Sequence, residues 1–389
     1  MKLLIVGVGD CGCRLASEFA QLERMARAKQ HVSIVTRAYA INNDKASLEA
    51  LTKVAHKSLA PVLIRGPFEG GDKSNEAGAR LMRQESDRVM TAMRLGGFWE
   101  ADAFLLIAGA GGSLGSGGVP VMAQLLKEHY VDKPVYALVV LPFESEAAEP
   151  PYVHNTAVCL KSIDRVADAV ILMDNGGVGV WEDITPSENL DSVNKGIVFP
   201  FYDLLCAGEV VGPKHIGARV LDAGDIVQTL AGWTAIGVGK TEFFASRLPW
   251  KRIRDFREKG SETLRAVEAM NLALIRLSID CKLENAGKAL YLLSVPAKQA
   301  NIDMVKVLGN RLRELAENAE MREGSFYGAK GFARVTVVVS QLIYLERVKN
   351  YFDRAAGLAR TSKAGEKTKA KKRAKTKAKK RAKGEEKLD

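Results

Sequence analysis

The stretch Ala-Gly-Ala-Gly-Gly-Ser-Leu-Gly-Ser-Gly-Gly, at residues 108–118, decides the fold class of this chain. The apolar run 103–107 just before it is typical of a short buried strand, and residues 119–130 just after it are typical of a helix. Glycine-rich backbone that leads from a strand into a helix N-terminus presents open N–H groups, which bind phosphate. Because strand and helix flank the stretch so closely, we expect an anion-binding loop rather than a flexible linker.

Strand-like and helix-like segments alternate through the first half of the chain. Short apolar runs are typical of buried strands, and the segments between them have helical periodicity. The predicted strands are residues 2–6, 38–41, 103–107, 135–141 and 169–173, and the predicted helices are residues 12–27, 47–51, 76–93, 119–130 and 154–166. Such alternation produces a parallel sheet covered by helices on both faces. We therefore predict an α/β fold whose N-terminal nucleotide-binding domain, residues 1–186, is Rossmann-like.

A long central helix and a smaller α/β unit are predicted to follow. Residues 187–207 have one continuous helical pattern that begins at Ser187, and an acidic loop extends this segment to residue 225. Residues 226–358 again alternate between strands and helices but contain no glycine-rich phosphate loop. We predict that they form the C-terminal α/β domain.

The positive charge of the chain is concentrated in its tail. The formal net charge is +11, but residues 361–389 alone hold 13 Lys and Arg against 4 Asp and Glu, which leaves 44 basic and 42 acidic residues elsewhere. We expect residues 359–389 to be disordered, because a lysine-rich segment of low complexity repels itself and has too little apolar surface to fold. Residues 362–389 are predicted to attract nucleic acid, an anionic membrane surface or an acidic protein surface, or else to act as a solubilising appendage.

Several classes of protein are not supported by the sequence. No apolar run is long enough to span a membrane, and no signal-peptide cleavage pattern follows the N-terminus. The five cysteines include no Cys-x-x-Cys pair, and the five histidines include no His-Glu-x-x-His motif. We expect a cytoplasmic protein, at most associated with the inner face of the membrane, without a metal site built by its own side chains.

The residues alone leave two nucleotide classes open. Gly7-Val8-Gly9-Asp10-Cys11-Gly12 is a Gly-x-Gly-x-x-Gly pattern between a predicted strand and helix, which is typical of an NAD(P)-binding Rossmann oxidoreductase. Asp44 is then the candidate ribose ligand, although it comes late for that role. This interpretation gives no role to the second glycine stretch or to Asp222 and Asp225. The alternative is a mononucleotide held between two glycine loops at the carboxyl edge of the sheet.

Four motifs in order resemble those of the tubulin/FtsZ superfamily. Residues 9–14 resemble the first loop of tubulins, and residues 111–117 resemble the glycine-rich signature of tubulin and FtsZ. Asp174-Asn175 resembles the base-contacting pair of tubulin, and residues 221–226 resemble the acidic synergy loop of FtsZ. The resemblance covers roughly residues 1–350 and is most specific to the archaeal CetZ branch. It implies a cytoskeletal GTPase that controls cell shape.

The resemblance also implies a set of nucleotide-binding residues. GTP or GDP would be bound, with Mg²⁺ held mainly through phosphates and water. The residues implied along the phosphates are Gly9, Asp10, Cys11, Gly12, Cys13, Arg14, Asn43, Asp44, Gly111, Gly112, Ser113, Leu114, Gly115, Ser116 and Gly117. For the ribose, alignment from Pro142 favours Glu146 and spacing to Asn175 favours Glu149. Asn175 and Asn194 would read guanine and Leu190 would cover the base.

Two residues depart from the family signature. Ser113 stands where the family has a third glycine, and Leu114 stands where it has threonine. Leu114 removes a hydroxyl that can donate to a phosphate oxygen. Backbone N–H groups are therefore expected to carry the phosphate contacts.

Asp222 and Asp225 are the candidate catalytic residues. Two carboxylates beside a triphosphate in the same subunit would repel it, so the resemblance implies that a neighbouring subunit presents them and that they polarise the attacking water. A head-to-tail contact of this kind builds open filaments. The alternative is structural, because acidic residues at a helix start stabilise the helix in any case.

Overall fold

A ten-stranded sheet forms the centre of the computed structural model, which describes residues 1–55, 59–66, 73–94, 98–175, 190–209, 221–243, 256–327 and 331–361. The strands are β1 (Leu3–Val8), β2 (Val35–Asn42), β3 (Leu59–Leu63), β4 (Ala103–Gly109), β5 (Val135–Leu141), β6 (Ala169–Asp174), β7 (Gly232–Glu242), β8 (Lys288–Val295), β9 (Glu320–Tyr327) and β10 (Phe332–Ser340). Their order across the sheet is β3-β2-β1-β4-β5-β6-β7-β10-β8-β9. The first seven strands in this order pair in parallel, which confirms the predicted α/β fold class.

Helices cover both faces of this sheet. They are α1 (Gly9–Gln30), α2 (Lys45–Ala55), α3 (Asn75–Gln84), α4 (Ser86–Arg94), α5 (Ser113–His129), α6 (Pro150–Ile163), α7 (Leu190–Val198), α8 (Pro200–Ala207), α9 (Ala223–Thr229), α10 (Phe256–Ile275), α11 (Ile302–Leu315) and α12 (residues 346–361). One hydrophobic cluster lies on each face. Within the described ranges, every helix is too short or too polar to cross a bilayer.

The predicted central helix is divided. Helix α7 ends at Val198 and α8 begins at Pro200, since proline has no N–H to donate to the preceding turn. Ser187, the predicted cap, lies outside the described residues. The helix predicted over residues 76–93 is likewise two helices, which meet at Glu85.

The two units share the sheet rather than packing as separate domains. Strand β7 pairs in parallel with β6 over Ala169–Ile171 and antiparallel with β10 along most of its length. Helix α12, at the end of the second unit, extends to residue 361, beyond residue 358 at which the C-terminal domain was predicted to end. Strands β3 and β9 were not predicted, because a proline interrupts the first and charged residues interrupt the second.

Candidate nucleotide site

A cavity of about 280 Å³ lies at the carboxyl edge of the parallel strands. Loops after β1, β4, β5 and β6 meet there, as expected for ligand sites in open α/β sheets. The cavity is lined by Asp10, Cys11, Arg14, Gly109, Gly111, Gly112, Val140, Leu141, Pro142, Phe143, Glu146, Tyr152, Asn175, Val193, Asn194 and Ile197. Eight of these lining residues were predicted from the sequence, and they include charged side chains and amides. The eight are Asp10, Cys11, Arg14, Gly111, Gly112, Glu146, Asn175 and Asn194.

Asp10 is held in place by two side chains from the next strand and helix. The Nδ2 group of Asn42 donates to Asp10 Oδ1 at 2.7 Å, and the Ser47 hydroxyl donates to the same oxygen at 3.1 Å. Asn42 is buried at the end of β2, and its own Oδ1 accepts from the Asn43 N–H. Sequence reasoning missed Asn42 and Ser47, although Asn42 begins the polar sequence Asn42-Asn43-Asp44, which was a usable signal.

The two cysteines of the first loop have different surroundings. Cys11 lines the cavity, and burial raises the pKa of its thiol to about 12, so the thiol stays neutral. Desolvation thus outweighs the acidifying effect of the helix N-terminus. Cys13 points into the core, where its thiol donates to the Ile41 carbonyl at 3.3 Å. The prediction that Cys13 lies along the phosphates is therefore wrong for its side chain.

The second glycine stretch is a short loop followed by a helix. Helix α5 begins at Ser113, so residues 113–118 form its first turns rather than the loop predicted from their composition. Gly111 and Gly112 line the cavity, with Gly112 as the N-cap of α5. Gly117 faces α3 instead, because a Cβ there would lie 2.1 Å from the Asn75 carbonyl oxygen. The glycines at this end of α5 thus admit a neighbouring helix, not only a ligand.

The remaining residues predicted from this stretch lie behind the cavity. Leu114 is only 5% exposed and packs in the hydrophobic core, so its side chain takes no part in the cavity wall. Ser116 is buried, and its hydroxyl donates to the Gly112 carbonyl of the preceding turn. Ser113 and Gly115 are also absent from the cavity lining.

The two glycine stretches touch behind the cavity. Gly9 has a φ of 73°, which is accessible to glycine without strain, and a Cβ at Gly9 would lie 3.2 Å from the backbone nitrogen of Gly115. Gly12 packs against β4, where a Cβ would be 2.2 Å from the Ile107 carbonyl. This close packing brings the N-termini of α1 and α5 together, and neither helix has a side-chain cap there. The first N–H groups of an uncapped helix are available to an anion.

Only one of the two candidate ribose ligands faces the cavity. Glu146 lines it, and its carboxylate accepts from the Phe143 N–H at 3.0 Å. Glu149 is the N-cap of α6 and is absent from the lining. The geometry therefore favours Glu146.

The base side of the cavity has two amides and an apolar wall. Asn175 follows β6 and Asn194 lies on α7, and both line the cavity. Phe143 and Tyr152 add aromatic surface that sequence reasoning missed, since no motif marks them. The side chain of Leu190 lies outside the described residues.

Asn43 and Asp44 do not line the cavity. Asp44 accepts from the Ala46 N–H at 2.9 Å and so closes the turn before α2. Asp44 therefore lies outside the cavity, where a dinucleotide site would need a ribose ligand. In the part of the chain that the structure describes, no cluster of three or more His, Cys, Asp or Glu residues is arranged to hold a metal ion.

Asp222 and Asp225 lie away from the cavity, at the N-terminus of α9. Asp222 accepts from the Asp225 N–H at 2.8 Å, and Asp225 accepts from the Asp222 N–H at 3.3 Å, which forms a capping box. The guanidinium of Arg322 on β9 pairs with Asp225 at 3.2 Å. The structural role considered above is thus present, and Asp225 also keeps about a third of its side chain exposed (37%).

Comparisons with known proteins agree with this geometry. Residues 2–178 match the Tubulin/FtsZ family, GTPase domain, and residues 184–357 match the C-terminal domain of tubulin-like CetZ. The tubulin-like protein CetZ1 of Haloferax volcanii is 29% identical over 369 residues, which is 90% of each chain. The tubulin-like protein CetZ2 of the same organism is 35% identical over 62% of this chain and 64% of its own length.

Solved structures of the same two relatives have this fold. The GTPγS-bound protofilament of CetZ2 from Haloferax volcanii superposes with a TM-score of 0.76 at 27% identity, over 93% of this chain and 100% of that one. The GDP-bound monomer of CetZ1 gives a TM-score of 0.74 at 27% identity, over 92% and 100%. The matches favour a guanine nucleotide over the dinucleotide of an oxidoreductase. The chain therefore belongs to the tubulin/FtsZ family, with the GTPase domain of that family followed by a CetZ-type C-terminal domain.

Proposed function

We propose that this protein binds GTP in the cavity at the carboxyl edge of the sheet and assembles head-to-tail into filaments that hydrolyse it. The phosphates would be held by backbone N–H groups at the starts of α1 and α5, with Arg14 as the nearby cation. Glu146 would accept from the ribose hydroxyls, and the amides of Asn175 and Asn194 would pair with the guanine edge. Mg²⁺ would be held through phosphate oxygens and water, next to Asp10.

The separation of the acidic pair from the cavity carries the assembly-dependent part of the proposal. Asp222 and Asp225 are fixed at the start of α9 and do not line the cavity of their own subunit. A subunit stacked on the cavity would present them to the γ-phosphate side, where they would orient the attacking water. A CetZ2 relative is known as a GTPγS-bound protofilament, which supports this mode of assembly.

The test is GTP turnover per subunit measured against protein concentration. We expect turnover to rise with concentration in the wild type and to fall by about a hundredfold or more in Asp225→Ala, while GTP binding persists. Asp303→Asn is a matched control, because Asp303 is also an exposed acid in the first turn of a helix. A rate that is independent of concentration, or a fully active Asp225→Ala, would refute the assembly-dependent mechanism.

We also propose that the basic tail attaches the filament to a polyanionic surface. Residues 367–374, Lys-Thr-Lys-Ala-Lys-Lys-Arg-Ala, are repeated without change at residues 375–382. The tail has no aromatic residue with which to stack on bases, so attraction to charge is favoured over reading of a nucleic-acid sequence. We infer a role in cell shape for such an attached filament.

Deleting residues 362–389 tests the tail separately. Sedimentation with vesicles of anionic or zwitterionic lipid, and with duplex DNA, should reveal binding by the full chain that the deletion abolishes and that high salt weakens. GTP turnover and filament formation should persist in the deletion. Equal binding by both proteins would show that the tail is not the attachment site.

A further inference from the structure

Helix α12, the last described element, contacts the base and ribose side of the nucleotide cavity from outside. Arg347, Tyr351 and Arg354 are spaced i, i+4 and i+7, so they share one face of the helix. None of the three lines the cavity. Their partners, however, belong to the segments that carry Glu146 and Asn175.

Arg354 holds the turn that carries Glu146. Its guanidinium donates to the backbone carbonyl of Ala147, the residue after Glu146 in the short 3₁₀ turn Glu146–Ala148. Ala147 is itself buried in the hydrophobic core. The position of the Glu146 backbone is therefore tied to α12 through its immediate neighbour.

Arg347 makes an ion pair with the segment that forms the other wall of the cavity. Its Nε lies 3.2 Å from a carboxylate oxygen of Asp174, the residue before Asn175, and its NH1 lies 3.8 Å from Glu144. Arg347 is largely buried, at 26% exposure, and so is Asp174, at 21%. A pair this shielded is screened less by salt than a surface pair.

Tyr351 lies between the two arginines in the sequence of α12. It is 2% exposed, and its hydroxyl has no hydrogen-bond partner among the described residues. Burial raises the pKa of its phenol, with smaller opposing effects from Arg347 and Arg354 and smaller raising effects from Asp174 and Glu146. The Arg347 guanidinium lies 5.7 Å from the centroid of the Tyr351 ring, so the ring is packed beside this arginine.

We propose that Arg347 and Arg354 are positioning residues for the nucleotide site: Arg354 sets the ribose contact through Glu146, and Arg347 sets the guanine contact through Asn175. The inference rests on the proposed binding of a guanine nucleotide. It makes α12, which leads into the basic tail, part of the machinery that determines nucleotide affinity. Each arginine acts through a different part of the ligand, so the two effects are separable.

The test measures the affinity of the full-length chain for GDP and for two analogues by calorimetry. Dideoxy-GDP lacks both ribose hydroxyls, and IDP lacks the 2-amino group of guanine. We expect Arg354→Gln to weaken GDP binding by about tenfold, through the loss of one charge-assisted hydrogen bond, while dideoxy-GDP binding hardly changes. Arg347→Gln should instead reduce the preference for GDP over IDP by a similar factor.

Controls separate positioning from general loss of structure. Arg360→Gln removes an exposed arginine from the same helix and should change none of the three affinities. If Arg354→Gln does not fold, Arg354→Lys replaces it in the test, because lysine keeps the positive charge but lacks the planar guanidinium donors. Arg354→Lys should then lower the preference for GDP over dideoxy-GDP severalfold. Equal losses for GDP and its analogues, or unchanged preferences, would overturn the inference. A wild type that binds no guanine nucleotide would instead refute the proposed function.

Discussion

The ion pair between Asp203 on α8 and Arg334 on β10 gives a prediction whose size follows from its burial. The two groups are 2.6 Å apart and have side-chain exposures of 5% and 12%. Arg334 also lies over the rings of Phe199 and Phe332, at 4.8 Å and 5.1 Å. Arg334→Met keeps most of the packing but leaves the Asp203 carboxylate buried without its partner. We expect the free energy of unfolding to fall by about 3–5 kcal/mol.

The pH dependence of this loss has a definite sign. Burial raises the pKa of Asp203, and Arg334 opposes that effect. Without Arg334 the pKa rises further, so the carboxyl can take up a proton in the folded state at mildly acidic pH. Because the folded state then binds more protons than the unfolded state, stability falls as pH rises through that window. The cost of Arg334→Met should therefore be smaller at pH 5 than at pH 7.

Denaturant unfolding followed by circular dichroism measures these differences. Arg88→Met is the matched control, because Arg88 pairs with Glu85 at 3.2 Å but keeps 46% of its side chain exposed, and such a pair contributes about 0.5 kcal/mol. The double variant Asp203→Leu with Arg334→Met removes both charges and should lie within about 1 kcal/mol of the wild type. A loss below about 1 kcal/mol in Arg334→Met, or an equal loss in the double variant, would refute the reasoning.

Two further predictions concern the cavity. Asn42→Ala should lower the free energy of unfolding by about 2 kcal/mol and Ser47→Ala by less than about 1 kcal/mol, because both side chains donate to Asp10 but only Asn42 is buried. Thermal unfolding of the two variants measures this difference, and equal effects would contradict the prediction. Cys11 should react slowly with iodoacetamide at pH 8, because a thiol with a pKa of about 12 is almost entirely protonated at that pH. Peptide mass spectrometry measures the labelling rate, and labelling as fast as that of free cysteine would contradict the prediction.

The sequence allowed the fold to be predicted further than the site. Periodicity placed β1, β4, β5 and β6 within a few residues, because each of these strands is a continuous apolar run. It found only part of β2, where Thr36 and Arg37 interrupt the run, and it missed β3. The sequence could not show that residues 113–118 are helical, since glycine composition resembles a loop whether the glycines face a ligand or admit a neighbouring helix such as α3. It also could not separate Cys11 from Cys13: two residues are about half a turn of helix, so only one of the two thiols can face the cavity, and the sequence does not show which.

Contacts between distant segments were the least predictable. Asn42 touches Asp10 only because β2 pairs with β1 in a fixed register, and Arg322 reaches Asp225 only through the unpredicted strand β9. Arg347 and Arg354 carry no motif at all. Their proposed positioning role rests on contacts that only the packing of α12 against the rest of the chain reveals.

The shared sheet limits how the chain can be divided. One hydrophobic cluster includes Val6 of the first unit together with Val335 of the second, and Arg354 in α12 donates to the carbonyl of Ala147 in the first unit. Either half expressed alone would expose apolar surface that the other half covers in the whole chain. If one half were exchanged for that of a relative, the residues on both sides of the surface where the halves pack together would have to change as well. The two halves are therefore expected to be inherited as a single unit.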